Sequence, residues 1–224
     1  MALVKFKDLC IDVTSPAVMG PWWAERLGLR LETSATGSVL RGPTPQHTVW
    51  LNVVPETKHV KNRVHLDLQT SDDLVFASSP VLSDPELFPW VVHADPEGGE
   101  FCVFTYDDPT PTGLKDVVVD AGDAAAQAEW WAAMWGGDWD EDEGDAWIDD
   151  VPGAPFTSFD FTWVPEEKSV KNRIHWDVDL LPGVTIADLE AHGATVLRAP
   201  GDDRRWTVMA DPEGNEFCVF GPES

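Results

Sequence analysis

The chain is short of cations. Its 224 residues hold 15 Lys and Arg against 40 Asp and Glu, a formal net charge of −25. That balance excludes a nucleic-acid partner, because little here could neutralise phosphates. It equally excludes an anionic membrane surface. Cysteine is sparse and odd in number, with Cys10, Cys102 and Cys218 only, so there is no disulfide framework. No apolar run approaches the ~20 residues of a membrane span. The opening MALVKFKDLC lacks the long apolar stretch of a signal peptide. These absences predict a reduced, cytoplasmic, soluble protein. Tyr occurs once, against 12 Trp, and an apolar content of 43% is enough to build a core.

What is present is organised by an internal repeat. VPETKHVKNR (54–63) and VPEEKSVKNR (164–173) agree at eight of ten positions. ADPEGGEFCVF (94–104) and ADPEGNEFCVF (210–220) agree at ten of eleven. More weakly, KDLCID (7–12) matches KDVVVD (115–120), and each precedes a helix-like stretch with a Trp pair, Trp22-Trp23 or Trp130-Trp131. The chain reads as two copies of one unit, 1–110 and 111–224, joined near Asp108-Pro109-Thr110-Pro111. Each copy divides again, into modules of about 1–58, 59–110, 111–168 and 169–224. The acid excess falls mainly on the second copy.

The expected element pattern is βαβββ, four times over. Strand 5–13 leads to a helix with Ser15 as N-cap, Pro16 in its first turn and Gly28 at its end. Strands follow at 38–42, 48–54, 62–69 and 100–105. The second copy repeats this with strand 115–120, helix 122–135 and strands near 146–149, 157–164 and 172–179. A helix at 185–192 and strands at 195–198, 205–209 and 215–220 complete it. His65 to Asp95 spans 30 positions, whereas His175 to Asp211 spans 36. The shortfall lies in a Ser- and Pro-rich stretch, which predicts that the first copy lacks a regular second helix. The acidic run 138–145 departs from the calcium-loop spacing, which needs Gly at its sixth position, and reads as a solvated loop.

Period-2 alternation separates two faces on the main strands. His65, Asp67 and Gln69 oppose Val64, Leu66 and Leu68, and His175, Asp177 and Asp179 repeat the polar set. Asp8, Cys10 and Asp12 share a face, as do Glu100, Cys102 and Phe104, and Glu216, Cys218 and Phe220. Alternation alone leaves open whether these faces meet a cleft or open solvent.

The order D-x-x-x-D, helix with paired aromatics, Leu-Gly, K-N-R-[VI]-H-x-D and D-P-E-G-x-E-F-C-V-F resembles the glyoxalase-like branch of the vicinal oxygen chelate superfamily. That group includes glyoxalase I, bleomycin-resistance and fosfomycin-resistance proteins and extradiol dioxygenases. The resemblance spans nearly the whole chain, twice. It implies an α+β fold of four βαβββ modules forming two domains with curved mixed sheets, whose polar strand faces line cavities. It also places the family's metal-ligand positions on Asp8, near Asn52, and on His65 and Cys102 in one copy, and on Asp116, Thr162, His175 and Cys218 in the other. Each cavity then offers one His, one Asp and one Cys. Zinc accepts such donors. A 2-His-1-carboxylate iron site needs a further His.

Asp8/His65 and Asp116/His175 are therefore the candidate acid–base pairs, with an Asp near a His favouring imidazolium. Asn52, Asp67, Glu100, Cys102, Thr162, Asp177, Glu216 and Cys218 are the candidate cavity residues. Asp67 and Asp177 either support the histidines or pair with Arg63 and Arg173. A nucleophilic Cys102 or Cys218 needs exposure and an activating base. Lys61-Asn62-Arg63 and Lys171-Asn172-Arg173 either clamp an anion or shape the crossover between modules. One Trp of each pair should pack on a sheet and the other at an interface. Trp50, Trp90, Trp147 and Trp206 are the candidates for stacking on a flat ligand. Two functions stand side by side. One is a small-molecule binder of the bleomycin-resistance type, taking an aromatic or cationic compound without a metal. The other is a lyase, isomerase or dioxygenase-related enzyme, with or without a divalent ion (Zn, Fe, Ni or Mn). The fused chain should act as a monomeric, covalent pseudo-dimer.

Overall fold

A computed structural model describes residues 1–34, 37–202 and 204–221. The first module holds β1 (Val4–Val13), α1 (Pro16–Leu27), β2 (Arg30–Ser34), β3 (Gly37–Arg41) and β4 (Val49–Val53). The second holds β5 (Val64–Thr70), β6 (Val91–Ala94) and β7 (Glu100–Thr105). The third holds β8 (Gly113–Ala121), α2 (Ala124–Trp135), β9 (Asp140–Asp142), β10 (Asp145–Asp149) and β11 (Ser158–Trp163). The fourth holds β12 (Ile174–Leu180), α3 (Ile186–Ala191), β13 (Thr195–Arg198), β14 (Thr207–Ala210) and β15 (Glu216–Phe220). No helix among the described residues is long and apolar enough to cross a membrane.

Three of the four modules are βαβββ. The second departs from the pattern. A single 3₁₀ turn, Asp73–Phe76, replaces its helix, and one bridge, Val81 to His93, stands where the fourth module has β13. The shorter spacing in the first copy thus removed a helix and most of a strand. The acidic run is a hairpin rather than a loop. β9 and β10 pair across Glu143 and Gly144, both at positive φ as a tight two-residue turn requires.

The modules pair across the repeat. An eight-stranded mixed sheet runs β13-β14-β15-β12-β1-β4-β3-β2, and a seven-stranded one runs β6-β7-β5-β8-β11-β10-β9. β1 lies antiparallel to β12, and β5 antiparallel to β8. Each sheet therefore takes one module from each half of the chain.

The apolar faces and both long helices share one core. Trp131 on α2 is fully buried and meets Trp176 and Phe217 of the first sheet and Phe159 of the second. Trp23 on α1 is buried against Phe101 of the second sheet, while α1 also packs on β2, β3 and β4 of the first. The outer members of the Trp pairs sit at the margins. Arg26 lies over Trp22, and Trp130 donates to the His192 carbonyl at 2.7 Å.

The repeated motifs lock the sheets together. Gly98 and Gly214 close the D-P-E-G turns at positive φ. The glutamate of each turn reaches a helix start in another module. Glu97 accepts from the Thr14 and Ser15 amides before α1, and Glu213 from those of Gly122 and Asp123 before α2. A carboxylate there meets unpaired N–H groups and the positive helix end. It does the work expected of Ser15, whose side chain makes no cap bond. Arg173 bonds Glu97 at 2.9 Å and the carbonyls of Asp12 and Glu56. Arg63 bonds the carbonyls of Asp120 and Glu166 and lies 3.7 Å from Glu213. The K-N-R arginines shape the crossover.

Candidate functional site

Most residues of both polar strand faces are buried, with Asp67, Cys102, Asp116 and Asp120 buried and His65 half-buried on the second sheet. On the first sheet, Asp8, Cys10 and Asp12 of β1 lie beside His175, Asp177 and Asp179 of β12, all buried. Asp8 stands directly opposite Asp177, and Cys10 opposite His175. On the second sheet Asp116 stands opposite Asp67, and His65 opposite Val118. The sequence-based partnerships are thereby exchanged. Asp8 neighbours His175 rather than His65, and Asp116 neighbours His65 rather than His175. The cause is the cross-repeat pairing of β1 with β12 and β5 with β8.

Two lysines escaped sequence reasoning. A bulge in β1 makes Lys7 an extra residue between Phe6 and Asp8, and a bulge in β8 does the same for Lys115 before Asp116. Strict alternation would send both to the far face. Instead Lys7 Nζ bonds Asp8 at 2.6 Å and lies 4.5 Å from the Phe220 ring centre. Lys115 bonds Asp116 and lies 4.6 Å from that of Phe104. The available signal was the Lys-Asp dipeptide at matched positions of the two copies. Aromatic rings border each cluster. Trp206 stacks on Phe220 and Trp90 leans on Phe104, both at 5.4 Å, and Trp50 donates to Asp8 at 3.2 Å. Trp147 bonds its neighbour Asp149.

Burial sets the electrostatics. Desolvation first, then Lys61, lowers His65 to about 3, and desolvation with Lys171 lowers His175 to about 4. Both imidazoles are neutral at pH 7, contrary to the imidazolium expected from a nearby Asp. Burial raises Asp67 and Asp160 to about 7. It also pushes Asp177 well up, aided by Asp8. Burial, with Asp67 beside Cys102 and Asp177 beside Cys218, pushes both thiols well up, and Cys10 is also raised. These thiols stay protonated, so neither cysteine is the activated nucleophile considered from sequence.

The remaining candidates divide. Asp67 groups with His65 and Cys102, and Asp177 with Cys10 and His175, not with the arginines. Glu100 holds Lys58 at 2.6 Å and accepts from the Asn62 amide, and Glu216 does the same with Lys168 and Asn172. Those glutamates anchor the crossover segments. Asn52 is exposed and Thr162 half-buried at the ends of their strands.

Each cluster brings one nitrogen, one oxygen and one sulfur donor within 4.8 Å of one another, in Cys10, His175 and Asp177 and in His65, Asp67 and Cys102. That chemistry fits a zinc-type ion. One His per cluster does not make the 2-His-1-carboxylate iron site.

A family model described as a glyoxalase-like domain matches residues 8–104 and again 116–220. Among solved structures, glyoxalase I from Zea mays superposes with a TM-score of 0.67 at 14% identity, over 96% of this chain and 92% of that one. A candidate dioxygenase from Bacillus subtilis gives 0.68 at 12%, over 100% and 86%. The cppA protein from Streptococcus pneumoniae gives 0.52 at 11%, over 98% of both chains. At these identities the likeness is one of fold. No curated protein sequence matches.

Proposed function

Because the chain belongs to the glyoxalase-like domain family, in two copies, we propose that it binds a small molecule at the polar face of each sheet, without the full ligand set of a metal-dependent member. One observation carries this reading. Asp8 Oδ1 and His175 Nδ1 on one face, and Asp67 Oδ1 and Asp160 Oδ1 on the other, are buried with no hydrogen-bond partner. Each such atom costs about 1–3 kcal/mol unless something meets it. Three of the four are carboxyl oxygens, so the ligand brings donors or positive charge. The aromatic rims suit a flat group beside that charge. An aromatic cation satisfies both. Each polar face is complete within one chain, which supports a monomer acting as a covalent pseudo-dimer.

A divalent ion is the other occupant these donors suit. Cys10, His175 and Asp177 would hold it on one face, and His65, Asp67 and Cys102 on the other. When bound, it would polarise a substrate oxygen. A lyase or isomerase reading has one observation in its favour, the cross-strand carboxyl pairs Asp8/Asp177 and Asp116/Asp67. Adjacent carboxyls do not both ionise readily. A neutral acid beside a neutral imidazole can give a proton and take it back.

The test is a tryptophan-fluorescence titration with benzamidine, an aromatic amidinium. Saturable binding is expected, with one equivalent per chain lost in Asp8→Asn. Absence of saturable binding at millimolar concentration refutes the reading.

A further inference from the structure

A large pocket lies away from the hydrogen-bonded clusters just described. Its volume is about 810 Å³, and its wall is formed by both crossover segments, 54–63 and 164–173. These are the stretches that agree at eight of ten positions, so the pocket sits between two copies of one peptide. Of the polar-face residues, Asp12 and Asp120 reach it, at the ends of β1 and β8. The size falls within the range typical of small-molecule sites.

The wall combines apolar surface with an uneven charge account. Val54 and Val164 are half-buried, while Val60 and Val170 remain 43% and 51% exposed. Every cation on the wall is already matched by a carboxylate. Lys61 pairs with Asp120, Lys171 with Asp12, and Lys58 with Glu100. Arg63 faces Glu213 and Arg173 faces Glu97. Three carboxylates on the wall, Glu56, Glu166 and Glu167, have no ion pair among the described residues. The wall itself carries five Lys or Arg and five Asp or Glu, but Glu97, Glu100 and Glu213 behind it neutralise three of the cations. The pocket therefore offers apolar contact and an excess of negative charge at Glu56, Glu166 and Glu167, in a chain whose overall field already attracts cations.

We propose that this pocket is a third ligand site, one per chain, for an organic cation with an apolar body. The valines supply the area, and the three unmatched glutamates set the sign. Apart from Asp12 and Asp120, which Lys171 and Lys61 hold at its edge, the site uses other residues than the polar faces.

Calorimetric titration with tetraphenylphosphonium and with tetraphenylborate tests it, since the two ions share a shape and differ in charge. The cation should bind at one equivalent per chain, and the anion at least about tenfold more weakly. Combining Glu56→Gln, Glu166→Gln and Glu167→Gln should weaken the cation by about tenfold, each glutamate contributing a modest exposed-charge increment. Val60→Ser with Val170→Ser should weaken both ions. Asp8→Asn, on the polar face, should leave the titration unchanged. Equal affinity for the two ions, no binding of the cation, or indifference to the glutamine variants overturns the proposal. Loss of binding in Asp8→Asn overturns it too and moves the cation to the polar face, so its failure is separable from that of the earlier reading.

Discussion

Asp160→Asn should stabilise the protein at pH 8 and leave it unchanged near pH 4. Asp160 sits on the polar face of the second sheet, with Oδ1 unpartnered. Burial, the largest cause, raises it from 3.8 to about 7, and Asp116 adds to the rise while Ser158 and Lys115 oppose it. Above pH 7 both the folded and the unfolded chain carry the charge, and only the folded chain holds it in a poor environment. A gap of about 3 units at 1.36 kcal/mol each makes that cost about 4 kcal/mol. As pH falls from about 7 to about 4 the folded state takes up a proton before the unfolded state does, so the cost fades to nothing. Asn is neutral throughout and keeps the acceptor for Ser158. Urea unfolding of both proteins at several pH values measures the difference. It should be about 4 kcal/mol at pH 8, about half that near pH 5.5 and close to zero at pH 4. A variant no more stable than the parent at pH 8, or a difference that does not vary with pH, refutes the reasoning. If Asp160→Asn does stabilise as expected, the residue is a case of stability given up to keep a binding group in place.

Further outcomes follow from the core and the interlocks. Trp131→Ala removes a fully buried indole and its bond to Asp211, and should cost about 3–5 kcal/mol in chemical denaturation. Glu213→Ala strips the α2 start of its carboxylate and leaves Arg63 without that partner; a loss of about 1–2 kcal/mol is expected, with Glu213→Gln recovering part of it. Lys115→Met leaves the buried Asp116 without its ammonium, so it should lower stability at pH 8 and strengthen benzamidine binding on the second sheet. Unchanged affinity in Lys115→Met would show that the lysine does not face the ligand.

Much of the fold was legible because period and punctuation agreed with it. Pro16 and Gly28 bracket α1, and the alternation through His65, Asp67 and Gln69 marks β5 and its polar face. The adjacent Trp pairs diverge around their helices, with Trp23 and Trp131 inward. What stayed hidden depends on contacts between distant segments. Because the halves carry near-identical motifs, nothing local to Asp8 distinguishes the strand holding His65 from the one holding His175. The crossover segments and the Arg63 and Arg173 bonds decide it. Lys7 and Lys115 were missed because a bulge breaks the period-2 rule at that residue. The neutral imidazoles were missed because a nearby Asp is visible in sequence and desolvation is not. The β9–β10 hairpin was obscured because Asp and Glu are poor strand formers, although Glu143-Gly144 marks its turn.

The central claim is that these polar faces hold a small molecule without a resident metal. Elemental analysis of protein purified without a metal-affinity tag, alongside His65→Ala and His175→Ala, tests it most directly. The account predicts substoichiometric metal that neither substitution alters. One or two equivalents of zinc, iron, nickel or manganese per chain, lost with those histidines, would contradict it.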